Sequence, residues 1–259
     1  MVGSKFLDWT IGSIWWARHA AALRSQLWTR HGLRQLVPLQ RDRWHRGGKY
    51  FRAKARSDDS VFLKTDESGW KLHNEISAAN ALRAQGRRLD RFAPIRFFDS
   101  IGGFHIAGFD WLDGVPLDQA TRHGIQLELK FIVSELQGIL SDLERAAVVH
   151  RDITPSNLIL IRDANSRYHK IALIDFAFAV VHGHADFDAF APLSDLADLG
   201  SGYKPEASKW DDGFSCRRII EALFPPEVAI GAVRAFPLDR AVYSFDWNLE
   251  CAKRRAWLR

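Results

Sequence analysis

The segment VVHRDITPSNLIL places four polar side chains at a spacing that could support proton transfer beside a metal ion. His150, Arg151 and Asp152 are consecutive, and Asn157 follows five positions after the aspartate. A carboxylate and an amide oxygen on one rigid loop can serve a nucleophile and a metal ion, because the carboxylate accepts a proton and both groups are hard oxygen donors. Asp175, after the apolar run KIALI, could supply the further negative charge that a divalent cation requires. We therefore expect these residues to act in one site.

The first half of the chain has the pattern of a helix followed by a sheet. An apolar stripe at helical spacing predicts a helix from about Asp8 to His31, which Gly32 would end. Short apolar runs bounded by turn residues then predict strands, and these runs are LVPLQ, KYFRAKA, SVFLK, IRFFDS and FHIAGFDWL. A second helix, from about Trp70 to Ala84, separates the third strand from the fourth. We expect a five-stranded antiparallel meander that carries one helix.

The second half is predicted to be mainly helical. A broad apolar face indicates a core helix from about Ile125 to Arg145. The segment with Asp152 follows it, and then come two strands, NLILI and YHKIALID, and a last helix, GFSCRRIIEALF. A connector near Leu112 to Val115 would join this helical lobe to the sheet, and the cleft between two such lobes is where ligands usually bind.

Composition narrows the classes of function. The chain has 259 residues, of which 47% are hydrophobic and 26% charged, as in an ordinary globular protein and unlike a disordered chain or an integral membrane protein. The two cysteines, Cys216 and Cys251, form no CxxC pair, so neither a disulfide framework nor a zinc site is indicated and a cytoplasmic location is expected. The net charge of +5 is modest, and we expect no nucleic-acid partner.

The first segment, residues 1–35, leaves two interpretations open. Its aromatic and basic residues are Trp9, Trp15, Trp16, Trp28, Arg18, Arg24, Arg30 and Arg34. Tryptophan with flanking arginine favours peripheral contact with the inner face of an anionic membrane. An apolar stripe on the same helix favours packing against the rest of the protein, and packing is the usual fate of such a stripe. The stripe consists of Trp16, Ala20, Leu23 and Leu27. We favour packing.

The HRD-x4-N spacing and its companion motifs resemble the protein-kinase superfamily. In that family the loop aspartate accepts the proton of the acceptor hydroxyl and the asparagine binds magnesium, so the resemblance gives these roles to Asp152 and Asn157. Asp175 lies in an Asp-Phe-Ala sequence that resembles the family's Asp-Phe-Gly and would bridge Mg²⁺ to the β- and γ-phosphates of ATP. The resemblance runs from about Leu36 to Leu223.

The same resemblance covers a nucleotide site. Lys64, which ends VFLK, would contact the α- and β-phosphates, and Glu75 on the following helix would orient its ammonium group. Phe62 replaces the small residue that normally covers the adenine, which predicts a reshaped nucleotide pocket. Further nucleotide contacts are expected from Asp110 and Leu112, through backbone groups that bind the adenine edge, and from Ile159.

Three departures from the family pattern affect the phosphates. The loop HRGGK has two glycines instead of three, although Lys49 could contribute charge there. Ala177 replaces a glycine and would restrict the backbone after Asp175. Thr154 stands where serine/threonine kinases usually place a lysine that contacts the transferred phosphate.

Motifs downstream of the loop complete the resemblance. Lys204-Pro205-Glu206 resembles the family's Ala-Pro-Glu, and Asp212 matches the buried aspartate that braces the catalytic loop, with Asp211 as the helix cap. In the family, the arginine at the position of Arg151 pairs with a phosphate on the activation segment. Permanent negative charge could replace that phosphate here, and its candidate sources are Asp186, Asp188, Asp195 and Asp198. We therefore expect activity without phosphorylation.

The resemblance implies an α+β, two-lobed protein-kinase-like fold. Residues 36–112 would form an N-lobe with a five-stranded antiparallel sheet and one helix, and residues 113–259 a helical C-lobe shortened at its end. The implied activity is ATP- and Mg²⁺-dependent transfer of the γ-phosphate to a hydroxyl, either of protein serine or threonine or of a sugar in a surface glycan or lipopolysaccharide. A pseudokinase that acts as a binding or regulatory scaffold is the alternative, because Phe62, the glycine loop and Ala177 depart from the family.

Overall fold

A computed structural model of the chain describes residues 2–39, 48–85, 90–163, 167–182, 196, 198–236 and 244–250. These residues form two compact units. The first contains the described residues of Met1–Ile76 and Ala93–Trp111, and the second those of Ser77–Phe92 and Leu112–Arg259. Helices and antiparallel strands are both present, which confirms the predicted α+β class.

The first unit is built on a five-stranded antiparallel sheet. Its strands are β1 (Arg34–Leu39), β2 (Gly48–Lys54), β3 (Ser60–Asp66), β4 (Ile95–Ile101) and β5 (Phe104–Asp110). All five strands were expected from the sequence, but the expected meander is wrong in its order, which is β1-β2-β3-β5-β4. Helix α2 (Trp70–Arg83) follows β3, and the chain then returns so that β5, and not β4, pairs with β3.

Alternation along the strands gives this sheet two distinct faces, because successive side chains point to opposite sides. Helix α1 (Val2–His31) covers one face. The core shared by this helix and the sheet includes Leu23, Leu27, Phe51, Val61, Leu63 and Ile106. The other face carries Lys64, with Tyr50 and Ala107 as its cross-strand partners.

The packing of α1 agrees with the interpretation that the sequence favoured. Trp15 extends the buried stripe of the helix, since its ring centroid lies 5.3 Å from that of Phe104. The helix ends at Gly32, as predicted, where the glycine adopts φ +64° and its N–H donates to the Trp28 carbonyl at 2.9 Å. Across the part of the chain that the structure describes, no helix is long and apolar enough to cross a membrane.

The second unit combines helices with three small sheets. Its helices are α3 (Leu129–Arg145), α4 (Asp212–Leu223) and α5 (Pro226–Ala232). Its strands are β6 (Gly114–Pro116), β7 (Val148–Val149), β8 (Leu158–Arg162), β9 (Tyr168–Leu173), β10 (Val180–Val181), β11 (Lys209–Asp211) and β12 (Ser244–Asp246). The sheets are β6-β8-β9, β7-β10 and β11-β12. The main core includes Ile132, Leu136, Ile139, Leu143, Ile219 and Ile220.

Several elements of this unit differ from the predictions. Helix α3 begins four residues later than expected, because its N-cap Glu128 has extended backbone angles, φ −90° and ψ 122°. The predicted connector contains strand β6, which pairs with β8. Helix α5 and the β11-β12 pair were not predicted, since three-residue strands and a short helix carry little periodic signal.

Candidate functional site

The loop that contains Asp152 is held by a buried carboxylate. Asp212, at the start of α4, is fully buried, and its Oδ2 accepts a hydrogen bond from the backbone N–H of His150 at 2.7 Å. Its Oδ1 accepts from the N–H of Arg151 at 3.0 Å. Burial raises the pKa of Asp212 to about 7, although the two N–H donors act against that shift by stabilising the carboxylate. The loop therefore has a fixed backbone conformation on the side of α4.

The neighbouring aspartate has the other predicted role. Asp211 is the N-cap of α4, and its Oδ1 accepts from the backbone N–H of Phe214 at 2.7 Å. The prediction that Asp211 caps the helix and Asp212 braces the loop is confirmed.

Asn157 is bonded directly to Asp152. Its Nδ2 donates to the Asp152 carbonyl and to Asp152 Oδ2, both at 2.9 Å. Because Nδ2 makes both bonds, Oδ1 is the end of the amide that could face a cation. The ring of His150 supports the same loop: its Nδ1 accepts from Asp152 N at 3.2 Å, so a neutral ring carries its proton on Nε2, which lies 3.1 Å from the Ile174 carbonyl.

Asp175 lies at the same end of the β8-β9 hairpin as Asn157. Leu158 pairs with Leu173, and the N–H of Ile174 donates to the Asn157 carbonyl at 3.0 Å. Asp175 is the next residue and has φ +66°, in the left-handed region that aspartate tolerates better than most residues. The hairpin register therefore places Asn157 and Asp175, the predicted metal-binding residues, at the same end of the hairpin.

Ala177, which stands where the resembling family has glycine, adopts an ordinary backbone conformation. It lies in a short 3₁₀ turn, Phe176–Phe178, and the left-handed conformation is at Asp175 instead. Phe176 is buried and its ring lies edge-on to the His150 ring, with centroids 4.6 Å apart. Alanine is accommodated at this position, because position 177 has no positive φ.

Lys64 and Glu75 form an ion pair within the first unit. Lys64 Nζ lies 3.2 Å from Glu75 Oε1, and the two residues are each 5% exposed. Breaking such a buried pair typically costs about 3–5 kcal/mol, because the remaining charge is left uncompensated. The contact expected between strand β3 and helix α2 is thus present.

Lys49 does not lie with Lys64, and the suggestion that it adds charge there is wrong. It is the cross-strand partner of Thr65 and so points to the α1 face of the sheet. Its Nζ lies 2.7 Å from Glu67 Oε1 and 5.1 Å from the centroid of Trp15. The rest of the glycine loop, residues 45–47, lies outside the described residues.

Aromatic side chains surround Phe62 on the Lys64 face. Phe62 is cross-strand partner to Phe109, with ring centroids 6.2 Å apart, and stacks on Tyr50 at 5.9 Å. Phe62 and Lys64 are two positions apart in one strand, so they share this face. Bulky rings therefore stand where the resemblance would place an adenine.

The remaining expected nucleotide contacts can be placed one by one. The backbone N–H of Asp110 donates to the Pro94 carbonyl at 3.0 Å. The expected hydrogen bond from Asp110 to the adenine edge would therefore use its carbonyl. Leu112 is half-buried in the link before β6. Ile159 is 8% exposed and alternates with Leu158 and Leu160, which belong to the main core. Its side chain thus lies on the other face of the β6-β8-β9 sheet.

A pocket of about 430 Å³ lies beside Asp152 in the second unit. Its lining residues are Asp118, Asp152, Thr154, Pro155, Ser156, Asn157, Asp198, Gly200, Ser201 and Tyr203. Among these, every charged side chain is an aspartate and four others carry hydroxyl groups. Burial raises the pKa of Tyr203, so its hydroxyl remains a proton donor. Asp118 was not predicted, since nothing in its local sequence marks it.

The segment after Asp175 is only partly described. Asp186, Asp188 and Asp195 lie outside the described residues, whereas Asp198 lines the pocket. Lys204 donates to the carbonyls of Leu196 at 3.3 Å and Ala207 at 2.8 Å. Burial lowers the pKa of Lys204, and the charges of Asp198 and Asp152 oppose that shift. The Lys-Pro-Glu segment is thus anchored beside the pocket.

Comparison with known proteins gives no further guidance, because neither a protein-family model nor a curated protein matches the chain. No group of three or more His, Cys, Asp and Glu side chains within the described ranges is placed to bind a metal ion. Asn157 could contribute an amide oxygen to a divalent cation, and the phosphates of a nucleotide could contribute further oxygen ligands. In the second unit, a carboxylate that could accept a proton thus lies next to an amide that could bind a cation.

Proposed function

We propose that this chain is an ATP- and Mg²⁺-dependent phosphotransferase with a protein-kinase-like fold, and that Asp152 is the base that accepts the proton of the acceptor hydroxyl. The observation that carries the proposal is the Asp152 loop. Asp212 holds its backbone and Asn157 holds the carboxylate and the carbonyl of Asp152. A general base must first be held in position, and the hydrogen bonds of this loop support that role for the Asp152 carboxylate.

Asn157 and Asp175 are the residues that would hold Mg²⁺. They fit the ion, because an amide oxygen and a carboxylate are ligands of the hard type that magnesium prefers, and the hairpin places both at one edge. The ion would neutralise the charge that develops on the transferring phosphate. Asp175 supplies the negative charge of the pair, and Asn157 links the metal position to the base.

Lys64 would neutralise the α- and β-phosphates of the nucleotide. Glu75 holds its ammonium group at 3.2 Å inside the first unit, where the charge is shielded from water and acts more strongly. An ion pair this well buried is costly to form, which supports a function for the lysine beyond stability.

The pocket beside Asp152 supports a compact acceptor that is rich in hydroxyl groups. Carboxylates accept hydrogen bonds from hydroxyls, and Ser201 and Tyr203 can donate or accept them. A sugar of a glycan or lipopolysaccharide fits this lining better than a linear peptide, which binds in an extended groove. Protein serine or threonine remains the other acceptor in the proposal.

Transfer of labelled γ-phosphate from ATP tests the proposal. The purified chain with Mg²⁺ should label at least one member of a panel of glycolipids, free sugars and proteins, and chelation of the metal should stop the transfer. Labelling that persists in excess chelator would contradict the role of the metal. Absence of transfer to every acceptor and to water would contradict the enzyme class.

The aromatic group on the Lys64 face favours a second candidate, a pseudokinase that binds a partner without transferring phosphate. Phe62, Tyr50 and Phe109 fill the face that an adenine would need. If this reading is correct, calorimetric titration with MgATP shows no heat of binding to the wild type. Binding in the micromolar range, about −8 kcal/mol, would favour the enzyme.

A further inference from the structure

Arg151, next to the proposed base, is 1% exposed although its guanidinium is charged at any physiological pH. Its Nε donates to the Phe178 carbonyl at 2.6 Å. Its backbone has φ +68°, in the left-handed region, where a residue with a long side chain persists only if its surroundings hold it. The loop conformation at Asp152 therefore depends on what surrounds Arg151.

Two aromatic rings contact the guanidinium group. Arg151 Cζ lies 5.3 Å from the ring centroid of Trp210 and 4.9 Å from that of Phe245. These rings belong to cross-strand partners in β11 and β12, and both side chains are buried. The Nε1 of Trp210 donates to the Leu199 carbonyl at 3.1 Å, which orients the indole. A desolvated guanidinium over aromatic faces is stabilised by cation–π attraction.

Hydrogen bonds outside the β-ladder also connect β12 to β11, because residues directly after β12 bond to the residue directly before β11. The N–H of Trp247 donates to the Ser208 carbonyl at 3.0 Å, and Asn248 Nδ2 donates to Ser208 Oγ at 2.9 Å. Phe245 is thereby held in place over Arg151. The backbone of Gly200 lies on another side of the loop, where an added Cβ would be 3.0 Å from the Arg151 carbonyl. The loop is enclosed by parts of the chain that follow it.

We propose that Phe245 and Trp210 are positioning residues for Asp152, and that strand β12 keeps the loop in its active conformation through their contact with Arg151. This inference rests on the proposed function. In the resembling family a phosphate on the activation segment holds the equivalent arginine, whereas here two rings supply a permanent contact. Phosphatase treatment should therefore leave activity unchanged.

Phe245→Leu, Phe245→Tyr and a control, Phe236→Leu, test this inference in the full chain. Leucine keeps apolar volume without a ring, tyrosine keeps the ring, and Phe236 is a fully buried phenylalanine of the main core. The readouts are kcat and KM for MgATP, measured as release of phosphate to water, and hydrogen exchange of the backbone amides of residues 148–157. Exchange needs no catalysis, so it reports on the loop even if the wild type lacks activity.

We expect Phe245→Leu to lower kcat about tenfold with KM for MgATP unchanged, and to speed exchange of the loop amides by a similar factor. Phe245→Tyr should keep kcat and the exchange rate of the loop amides at their wild-type values. Phe236→Leu should lower the stability of the whole protein without a selective effect on the loop. Equal loop exchange in Phe245→Leu and Phe236→Leu would overturn the inference. A wild type without turnover, but with fast loop exchange in Phe245→Leu alone, would overturn the proposed function and uphold the positioning.

Discussion

The Asp152 loop of the second unit and the Lys64 face of the first are stabilised in different ways. The loop conformation depends on side chains far away in sequence, since Asp212 accepts the N–H groups of His150 and Arg151. The Lys64 face depends on the backbone ladder of β2, β3 and β5, which keeps alternate residues on one side whatever their type. A single substitution should therefore disable the loop, whereas the face can change side chains and keep its fold.

This difference matches where the chain departs from the kinase pattern. Phe62 lies on the face, and its ring is accommodated beside Tyr50 and Phe109 without loss of register. Inside the loop, the departure is Thr154, whose side chain points to the pocket and hydrogen-bonds Ser156 Oγ at 3.0 Å. The departures from the resembling pattern at Phe62 and Thr154 thus lie on the sheet face and beside the pocket, whereas Asp212 and Asn157, which hold the Asp152 loop, match that pattern.

The largest effect is expected at the end of the β8-β9 hairpin, where we propose that Mg²⁺ binds. Asp175→Asn should weaken MgATP binding by about 10²-fold or more, because it removes the charge that faces the cation and keeps a residue that tolerates positive φ. Calorimetric titration measures the affinity, with Asp163→Ala, directly after β8 at the other end of the hairpin, as the control. Undiminished binding by Asp175→Asn would show that the metal is held elsewhere.

The buried carboxyl of Asp212 should make the free energy of unfolding depend on pH. The folded-state pKa of Asp212 is raised to about 7 by burial, above the value of about 3.9 in an unfolded chain. The folded protein thus holds this proton more tightly, so the contribution to stability is full below about pH 4 and is lost as the pH rises through about 7. From about pH 5 to about pH 8, the free energy of unfolding of the wild type should fall by about 2–3 kcal/mol more than that of Asp212→Asn.

Urea unfolding of the two proteins at both pH values measures this difference. Asp212→Asn should also lower transfer, because asparagine has one acceptor oxygen for two N–H donors. Parallel pH profiles of the free energy of unfolding would contradict the assigned protonation.

A smaller effect is expected on the Lys64 face. Phe62→Ala should strengthen MgATP binding about tenfold, because it removes a ring from the expected adenine position. A tenfold gain makes the free energy of binding roughly 1.4 kcal/mol more favourable. Phe98→Ala, an exposed phenylalanine in β4, is the matched control. Weaker binding by Phe62→Ala would mean that the ring contacts the nucleotide instead of excluding it.

The smallest change is expected for peptide acceptors. Thr154→Lys adds the charge that serine/threonine kinases carry, yet a pocket built for a sugar should leave transfer to serine peptides near background. Thr121→Lys, at an exposed threonine that does not line the pocket, controls for added charge. A severalfold gain in peptide labelling by Thr154→Lys alone would identify a protein acceptor.

Local patterns predicted the parts of the site that lie within one element. The VFLK run and the HRD-x4-N spacing singled out Lys64, Asp152 and Asn157 as candidates, and the Asp211 cap could be predicted from its position before a helix. Strand parity also explains the error at Lys49: it is on the opposite face from Lys64 because it pairs with Thr65.

Contacts between distant segments that no motif of the resemblance covers could not be predicted. Phe245 meets Arg151 only because β12 pairs with β11, and a three-residue strand gives no periodic signal. The placement of β5 beside β3 likewise depends on how the chain returns after α2. Pocket residues such as Asp118 are brought to Asp152 by the tertiary fold alone.

Comparison of wild type with Asp152→Asn in a labelled-phosphate transfer assay tests the central claim most directly. Asparagine keeps the shape of the side chain and an oxygen that can accept from Asn157, so the variant should unfold at the temperature of the wild type. With Mg²⁺ and an acceptor that the wild type labels, we predict a loss of at least about 10²-fold in rate. Transfer at the wild-type rate by folded Asp152→Asn would contradict the role of Asp152 as the base.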